Sequence, residues 1–380
     1  MTDDGMTNDA EAARRWRLVL GRYANEQLGG GLGASDARLE STLSYLYDRE
    51  YTSRGHRHER GAGGSLDGSN PSALSWLGHA RELFPESTFE RMQVQAIEKY
   101  QLTELLADEA TAAALEPSAS LATALMSVRG KLDKNLEAGV RTVIAAVVED
   151  IVRRIRPRFT AAVSGRRNRF RRSPQKLAQN FDWRATIRAN LAHVDPETRR
   201  IMIDDPRFMS RVRRTVPWDV VLCVDQSGSM ASSVLYSAVC ASILSALPGV
   251  TVRLVLFDTS VVDMSHLAAD PVTVLMTAQL GGGTDIAGAL GYCETLVRTP
   301  ANTVLALISD FEEGGSVSQL LSTVGRLAGS GVTLLGLAAL DEDARAIYDP
   351  AIASRLASRG MEIAALTPEH FGEWLGEVLR

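Results

Sequence analysis

The run Val220-Val221-Leu222-Cys223-Val224-Asp225-Gln226-Ser227-Gly228-Ser229-Met230 limits the fold more than any other stretch. Apolar β-formers end abruptly in one acid and two hydroxyls, spaced D-x-S-x-S. Such a run reads as a strand buried on both faces, the mark of a parallel sheet covered by helices. An apolar-periodic helix follows from about Val234, so the polar residues fall in the loop at the strand's carboxyl end. In open parallel sheets that edge is where ligands bind. Asp225 offers an anionic oxygen. Ser227 and Ser229 offer neutral oxygens two residues apart, which an extended loop can point the same way. Hard oxygens around a small cavity suit Mg²⁺. Taken alone, D-x-S-G-S also serves as an ordinary helix N-cap.

One loop cannot complete an octahedron, and two more segments supply oxygens. Gly281-Gly282-Gly283-Thr284-Asp285 is a flexible loop that opens a helix and carries the Thr284 hydroxyl. Val304-Leu305-Ala306-Leu307-Ile308-Ser309-Asp310 is a second buried strand ending in an acid. An N-cap reading of the first loop leaves these two unexplained. The set resembles the metal-ion-dependent adhesion site of von Willebrand factor A domains. That resemblance implies that Asp225, Ser227, Ser229, Thr284 and Asp310 bind a divalent cation, Mg²⁺ or Mn²⁺, directly or through water.

From residue 218 onward strand and helix patterns alternate. Strands are expected at 218–224, 251–257, 261–264, 303–309, 332–338 and 361–364, and helices at 232–246, 285–297, 316–328, 342–358 and 368–379. This predicts an α/β fold with a doubly wound, mostly parallel, Rossmann-like sheet. The von Willebrand A architecture, implied by the resemblance, covers 218–380. Asp182-Trp183-Arg184, Ile187-Arg188-Ala189-Asn190-Leu191, Trp218-Asp219-Val220-Val221, Leu256-Phe257-Asp258-Thr259 and Gly281 to Ile286 are similar to the bacterial CoxE-like branch. Genes of that branch often accompany a MoxR-type AAA+ ATPase. One departure is that Asp310 is followed by Phe311-Glu312-Glu313-Gly314, where many A domains have Gly directly; the two acids thicken negative charge near the site.

Residues 1–156 read as a helical N-terminal region, with a disordered start to about residue 14 and a Gly-rich loop near 52–71. Ala12 to Leu28 and Asp36 to Tyr51 have helical patterns, and Ser87 with Glu90 has the spacing of a capping box for a helix running to Leu106. Val140, Val143, Ile144, Val147, Val148, Ile151, Val152 and Ile155 form one stripe, which Pro157 is expected to end. His56 and His58 lack an accompanying Cys or acid cluster and read as part of a loop.

Charge divides the chain in three. Residues 1–150 carry 16 basic against 23 acidic side chains, 151–217 carry 18 against 5, and 218–380 carry 7 against 18. The connecting segment 157–217 is therefore a basic belt between acidic blocks. Arg166, Arg167, Arg169, Arg171 and Arg172 around Phe170 suit a nucleic-acid backbone, a solvated linker or an acidic partner. Within it, Asp182 can cap a helix with Trp183, Ile187 and Leu191 on one face and Arg184 and Arg188 on the other. Three cysteines without regular spacing argue against a disulfide framework or a zinc site.

No apolar run approaches 18 residues and the N-terminus lacks a signal-like segment, so a cytoplasmic protein is expected. No His lies near the three acidic or hydroxyl motifs, no second acid follows Asp225 at two residues, and no phosphate-binding G-x-x-x-x-G-K-S/T loop exists. The expectation is a non-enzymatic, Mg²⁺-dependent protein-interaction module, its metal taking an Asp or Glu carboxylate from a partner. Family resemblance adds the role of adaptor for a MoxR-like ATPase in complex assembly or metal-cofactor insertion. The alternatives are nucleic-acid binding through the Arg belt and metal-dependent hydrolysis.

Overall fold

The computed structural model describes residues 3–28, 33–53, 73–100, 102–107, 109–131, 134–163, 167–172, 176–194, 201–211, 217–340 and 346–378. His56, His58 and Arg166 lie outside them. The chain divides into two compact units, Met1–Val148 and Glu149–Arg380, and the basic segment falls in the second.

Unit 1 is helical: α1 (Asp3–Leu20), α2 (Asn25–Leu28), α3 (Ala34–Ser53), α4 (Ala73–Leu83), α5 (Glu86–Glu98), α6 (Glu109–Ala113), α7 (Ala119–Val128) and the start of α8 (Glu137–Val163). α1 begins nine residues before the Ala12 expected from the pattern, so part of the segment read as disordered is helical. Trp76 and Phe89 are fully buried, and the Trp76 indole N–H donates to the Thr42 carbonyl at 3.0 Å. The expected capping box does not form. α5 starts after Pro85 without a side-chain cap and ends at Glu98, while Glu90 accepts from the Ser120 hydroxyl at 2.9 Å.

α8 runs through Pro157 to Val163 instead of stopping before it. Pro157 cannot bond the carbonyl four residues back, that of Arg153, but Arg153 is exposed, so water can serve that carbonyl. Beyond the proline, Phe159 is fully buried and stacks edge-on against Phe371 at 6.1 Å. A Cβ on Gly372 would lie 2.5 Å from that Phe159 ring, so the packing there demands glycine.

In unit 2, β1 (Arg167–Arg172) pairs antiparallel with β2 (Met209–Arg211), so the Arg-rich stretch is strand and not a bare linker. α9 (Trp183–Ala189) lies between them in sequence. A larger sheet follows from β3 (Trp218–Asp225), β4 (Val250–Phe257), β5 (Val261–Asp263), β6 (Thr303–Ser309), β7 (Thr333–Leu340), β8 (Ala346–Ile347) and β9 (Met361–Ala364). The order is β5-β4-β3-β6-β7, with β8 and β9 both on β7; only β5 and β8 run antiparallel to their neighbours. The helices are α10 (Ala231–Ser245), α11 (Pro271–Thr277), α12 (Ile286–Leu296), α13 (Val317–Gly329), α14 (Pro350–Ala357) and α15 (Pro368–Val378). This is the doubly wound α/β architecture, mostly parallel, that strand–helix alternation predicts.

Both faces of β3 are buried. Val221 and Cys223 join the core under α12 and α13; Val220, Leu222 and Val224 alternate with them and are equally buried. Gly228–Ser245 has the length and apolarity of a membrane span, but about half of it is packed inside the fold, α10 lying on β3 and β4. The helix expected at 342–358 is shorter. β8 occupies Ala346–Ile347, and α14 starts at Pro350 because Asp349 caps it, accepting from the N–H groups of Ala351 and Ile352. All three cysteines are free and buried.

Candidate metal centre

The chain passes from β3 to β4 on one side and returns to β6 on the other. Strand order therefore reverses between β3 and β6, the place where open α/β sheets leave a crevice at their carboxyl edge. Val224 stands level with Ile308 across that pair. Asp225 is the last residue of β3, and Asp310 immediately follows β6. Two acids separated by 85 positions thus leave the sheet side by side.

Asp225 is fully buried. Its Oδ1 accepts from the Ser227 backbone N–H at 2.9 Å, and its Oδ2 accepts from the Ser309 hydroxyl at 2.9 Å. The Asp310 Oδ2 accepts from the Ser229 hydroxyl at 3.3 Å, and its Oδ1 from the Glu312 N–H at 3.1 Å. Burial pushes the Asp225 carboxyl above its usual range and the Asp310 charge adds to this; the bonds from Ser227 and Ser309 pull the other way. Neither acid has an ion-pair partner among the described residues. The Ser227 hydroxyl is buried beside them and, among the described residues, makes no hydrogen bond of good geometry. Buried polar atoms are nearly always satisfied. Two unpaired acids and an orphaned hydroxyl together fit a hard cation that takes oxygen ligands.

Thr284 comes to the same edge through backbone bonds. The Gly281 N–H donates to the Gln226 carbonyl at 3.1 Å, the Asp285 N–H to the Asp258 carbonyl at 2.9 Å, and the Gly314 N–H to the Thr284 carbonyl at 2.8 Å. The loop is thereby tied to the segments following β3, β4 and β6 at once. Gly281 and Gly282 have φ of 131° and 94°, backbone that favours glycine. Asp225, Ser227, Ser229, Thr284 and Asp310 thus share one edge of the sheet, Ser229 within a 3₁₀ turn (Gly228–Met230) and Ser227, Thr284 and Asp310 in loops.

Three residues matter that sequence reading did not assign. Ser309 fixes the Asp225 carboxylate; the visible signal was a hydroxyl at the end of an otherwise apolar buried strand. Phe311 has φ of 60° and is fully buried, its N–H donating to the Ser309 hydroxyl at 3.0 Å. Where many A domains have Gly, a large side chain thus occupies left-handed backbone, at a cost of about 1–2 kcal/mol. The departure after Asp310 adds backbone strain as well as charge. Glu313, one of the two added acids, accepts from the N–H groups of Ala287 at 3.1 Å and Gly315 at 2.8 Å. With Asp285, which accepts from Gly288 N–H at 2.8 Å, it occupies the amino end of α12.

The family model for VWA domain containing CoxE-like proteins matches residues 151–375, so the match takes in α9 and the basic segment as well as the larger sheet. The Escherichia coli (strain K12) protein carrying the name "Uncharacterized protein YehP" is 42% identical over 368 residues, covering 97% of this chain and 96% of that one. Among solved structures, a von Willebrand factor type A protein from Catenulispora acidiphila is 15% identical, over 45% of this chain and 43% of that one, with a TM-score of 0.34. BatB from Bacteroides thetaiotaomicron is 13% identical over 42% of this chain and 96% of that one, with a TM-score of 0.31. By the family match and by near full-length identity to YehP, the chain belongs to the CoxE-like family of VWA domain proteins.

Proposed function

We propose that this chain is a Mg²⁺-dependent protein-interaction module and not an enzyme, with Asp225, Ser227, Ser229, Thr284 and Asp310 holding the cation. Mn²⁺ is the other cation that this oxygen set would take. The observation that carries the reading is the pair of buried, unpaired acids beside the orphaned Ser227 hydroxyl. A cation bound there supplies an open position for a carboxylate. Asp225 and Asp310 contribute the negative charge, Ser309 and the Ser227 N–H hold Asp225 in place, and the bonded loops fix the relative positions of the oxygens. The ligand completing the set is an Asp or Glu of a partner protein. CoxE-like membership supports a MoxR-type AAA+ ATPase as that partner, with this chain its adaptor in complex assembly or metal-cofactor insertion.

Calorimetric titration and thermal melts test this. Free Mg²⁺ at 100 times its dissociation constant stabilises a protein by about 2.7 kcal/mol. Wild type should show that gain, while Asp225→Ala and Thr284→Ala fold and show none. Purified ATPase should bind wild type in Mg²⁺ and release it in EDTA. Equal Mg²⁺ affinity in wild type and Asp225→Ala would overturn the site.

A further inference from the structure

The segment around α9 is built inside out. Its buried side chains are polar. Asn190 is fully buried and uses its whole amide: Nδ2 donates to the carbonyls of Thr186 at 2.8 Å and Asp205 at 3.0 Å, and Oδ1 accepts from the N–H groups of Asp204 at 2.9 Å and Asp205 at 3.0 Å. The buried Thr186 hydroxyl accepts from the Arg207 N–H at 2.9 Å. Asp182 caps α9 through the Ala185 N–H at 3.0 Å. These bonds pin residues 204–207 along α9.

The apolar side chains face outward. Trp183 is 66% exposed, Leu191 56% and Met202 64%, with Ile187 and Ile203 exposed beside them in the chain. The Trp183 ring is steadied edge-on by Phe181 at 4.6 Å, and Phe181 by Phe208 at 5.5 Å. A rigid scaffold that displays a tryptophan and several aliphatic side chains to solvent has the composition of an interface centre.

Charge selects the occupant. Trp183 and Ile187 form one row of α9; Arg184 and Arg188, both exposed, form the next and make no ion pair among the described residues. The nearby acids are already engaged: Asp204 with His193 at 2.9 Å, Asp205 with Arg207, and Asp182 with its own helix. Residues 151–217 carry 18 basic against 5 acidic side chains. The same face of a second copy would set Arg against Arg. A helix with an apolar stripe bordered by carboxylates meets both rows.

We propose that the α9 face, with the 201–203 segment, docks an acidic amphipathic helix of a partner protein, independently of the metal site. The probe is a fluorescein-labelled 18-residue peptide with Leu at helical i, i+3, i+4, i+7 spacing and Glu elsewhere, and a second peptide with Lys in place of Glu. Anisotropy is read with the full chain in EDTA, and again with Asp225→Ala, so that failure of the metal reading leaves this result untouched. The Glu peptide should bind at least tenfold tighter than the Lys peptide. Ile187→Asp, at an exposed position, should keep the thermal melt and lose at least tenfold in affinity. Arg184→Glu with Arg188→Glu should reverse the preference between peptides. Equal binding of both peptides, or a preference the charge reversal leaves unchanged, overturns the proposal. So does wild-type co-sedimentation with phosphatidylserine vesicles, or self-association that Ile187→Asp abolishes, in the absence of Glu-peptide binding.

Discussion

The carboxyl edge of β3 and β6 and the α9 segment bury polar groups for opposite reasons. At the sheet edge an apolar core surrounds two acids that have no ion-pair partner among the described residues, and the Ser227 hydroxyl is left over there too. At α9 the buried amide and hydroxyl are matched, donor to acceptor, and what is left over is apolar surface. A buried polar network that is complete serves as scaffold; one that is incomplete specifies what must still arrive. Among the described residues the first place has no paired positive charge and the second presents exposed apolar side chains, the two observations on which the proposed metal and docking sites rest.

The comparison can be broken at the sheet edge by Phe311→Ala. The ring is fully buried, and Ala keeps the left-handed strain, so stability should fall by about 3–5 kcal/mol in denaturant unfolding. A loss below about 1 kcal/mol would mean that the ring does not hold the segment after Asp310. Next comes Asn190→Ala, which at α9 strands the N–H groups of Asp204 and Asp205 and the Asp205 carbonyl, while the Thr186 carbonyl keeps the Asn190 backbone N–H at 3.1 Å. A cost of about 2–3 kcal/mol is expected. Hydrogen exchange at the Asp204 and Asp205 amides should quicken, while β3 and β6 amides keep their protection; unchanged exchange there would remove the clamp from the comparison.

Ser309→Ala sharpens it. Asp225 loses one of its two bonds at a cost of about 1 kcal/mol, and Mg²⁺ affinity should weaken several-fold without vanishing, as titration would show. An affinity unchanged from wild type would reduce Ser309 to a strand residue. The smallest effect is expected from Glu313→Gln, about 0.5–1 kcal/mol, since one amide oxygen cannot serve both Ala287 and Gly315. Burial holds the Glu313 carboxyl above its usual range, opposed by those N–H bonds. The unfolded chain then ionises first, so this residue's contribution to stability declines as pH rises from the unfolded to the folded pKa. In Glu313→Gln that part of the pH dependence should disappear from a series of melts.

The doubly wound sheet was legible because each central strand is an apolar run and each acid ends one. Asp225 and Asp310 announce themselves as charges at the ends of Val220–Val224 and Val304–Ser309. The α9 face was legible in part, Trp183 and Ile187 beside arginines, whereas Leu191 falls past the helix end in a 3₁₀ turn, and the exposure of the face was not legible. Periodicity shows which residues share a face and is silent on whether anything covers it. Asn190 was invisible for a related reason: an amide inside a helix reads as weak propensity unless the 204–205 segment that it binds is already in place. Pro157 misled because the helix rule weighs a lost hydrogen bond and not the anchorage that Phe159 supplies on the far side. Glu313 was read only as negative charge near the site because one of its N–H partners, Ala287, lies at the start of α12, remote in sequence.

Phe311 has one more consequence. Its ring lies within the core shared by β7 and α12, close enough to Gly336 that a Cβ there would sit 3.1 Å from the ring tip, and it meets Tyr348 edge-on at 6.1 Å. Its backbone is also the neighbour of Asp310, whose carbonyl accepts from Asp349 at 2.8 Å. Phe311 thus joins the core contact at Gly336 to the backbone beside Asp310 through a single residue. A side chain at Gly336 would press on Phe311 and, closer still, on Ile363, 2.5 Å from the added Cβ, so residue size at Gly336 is expected to be tied to what stands at 311 and 363, and, if the site holds a cation as proposed, to its affinity.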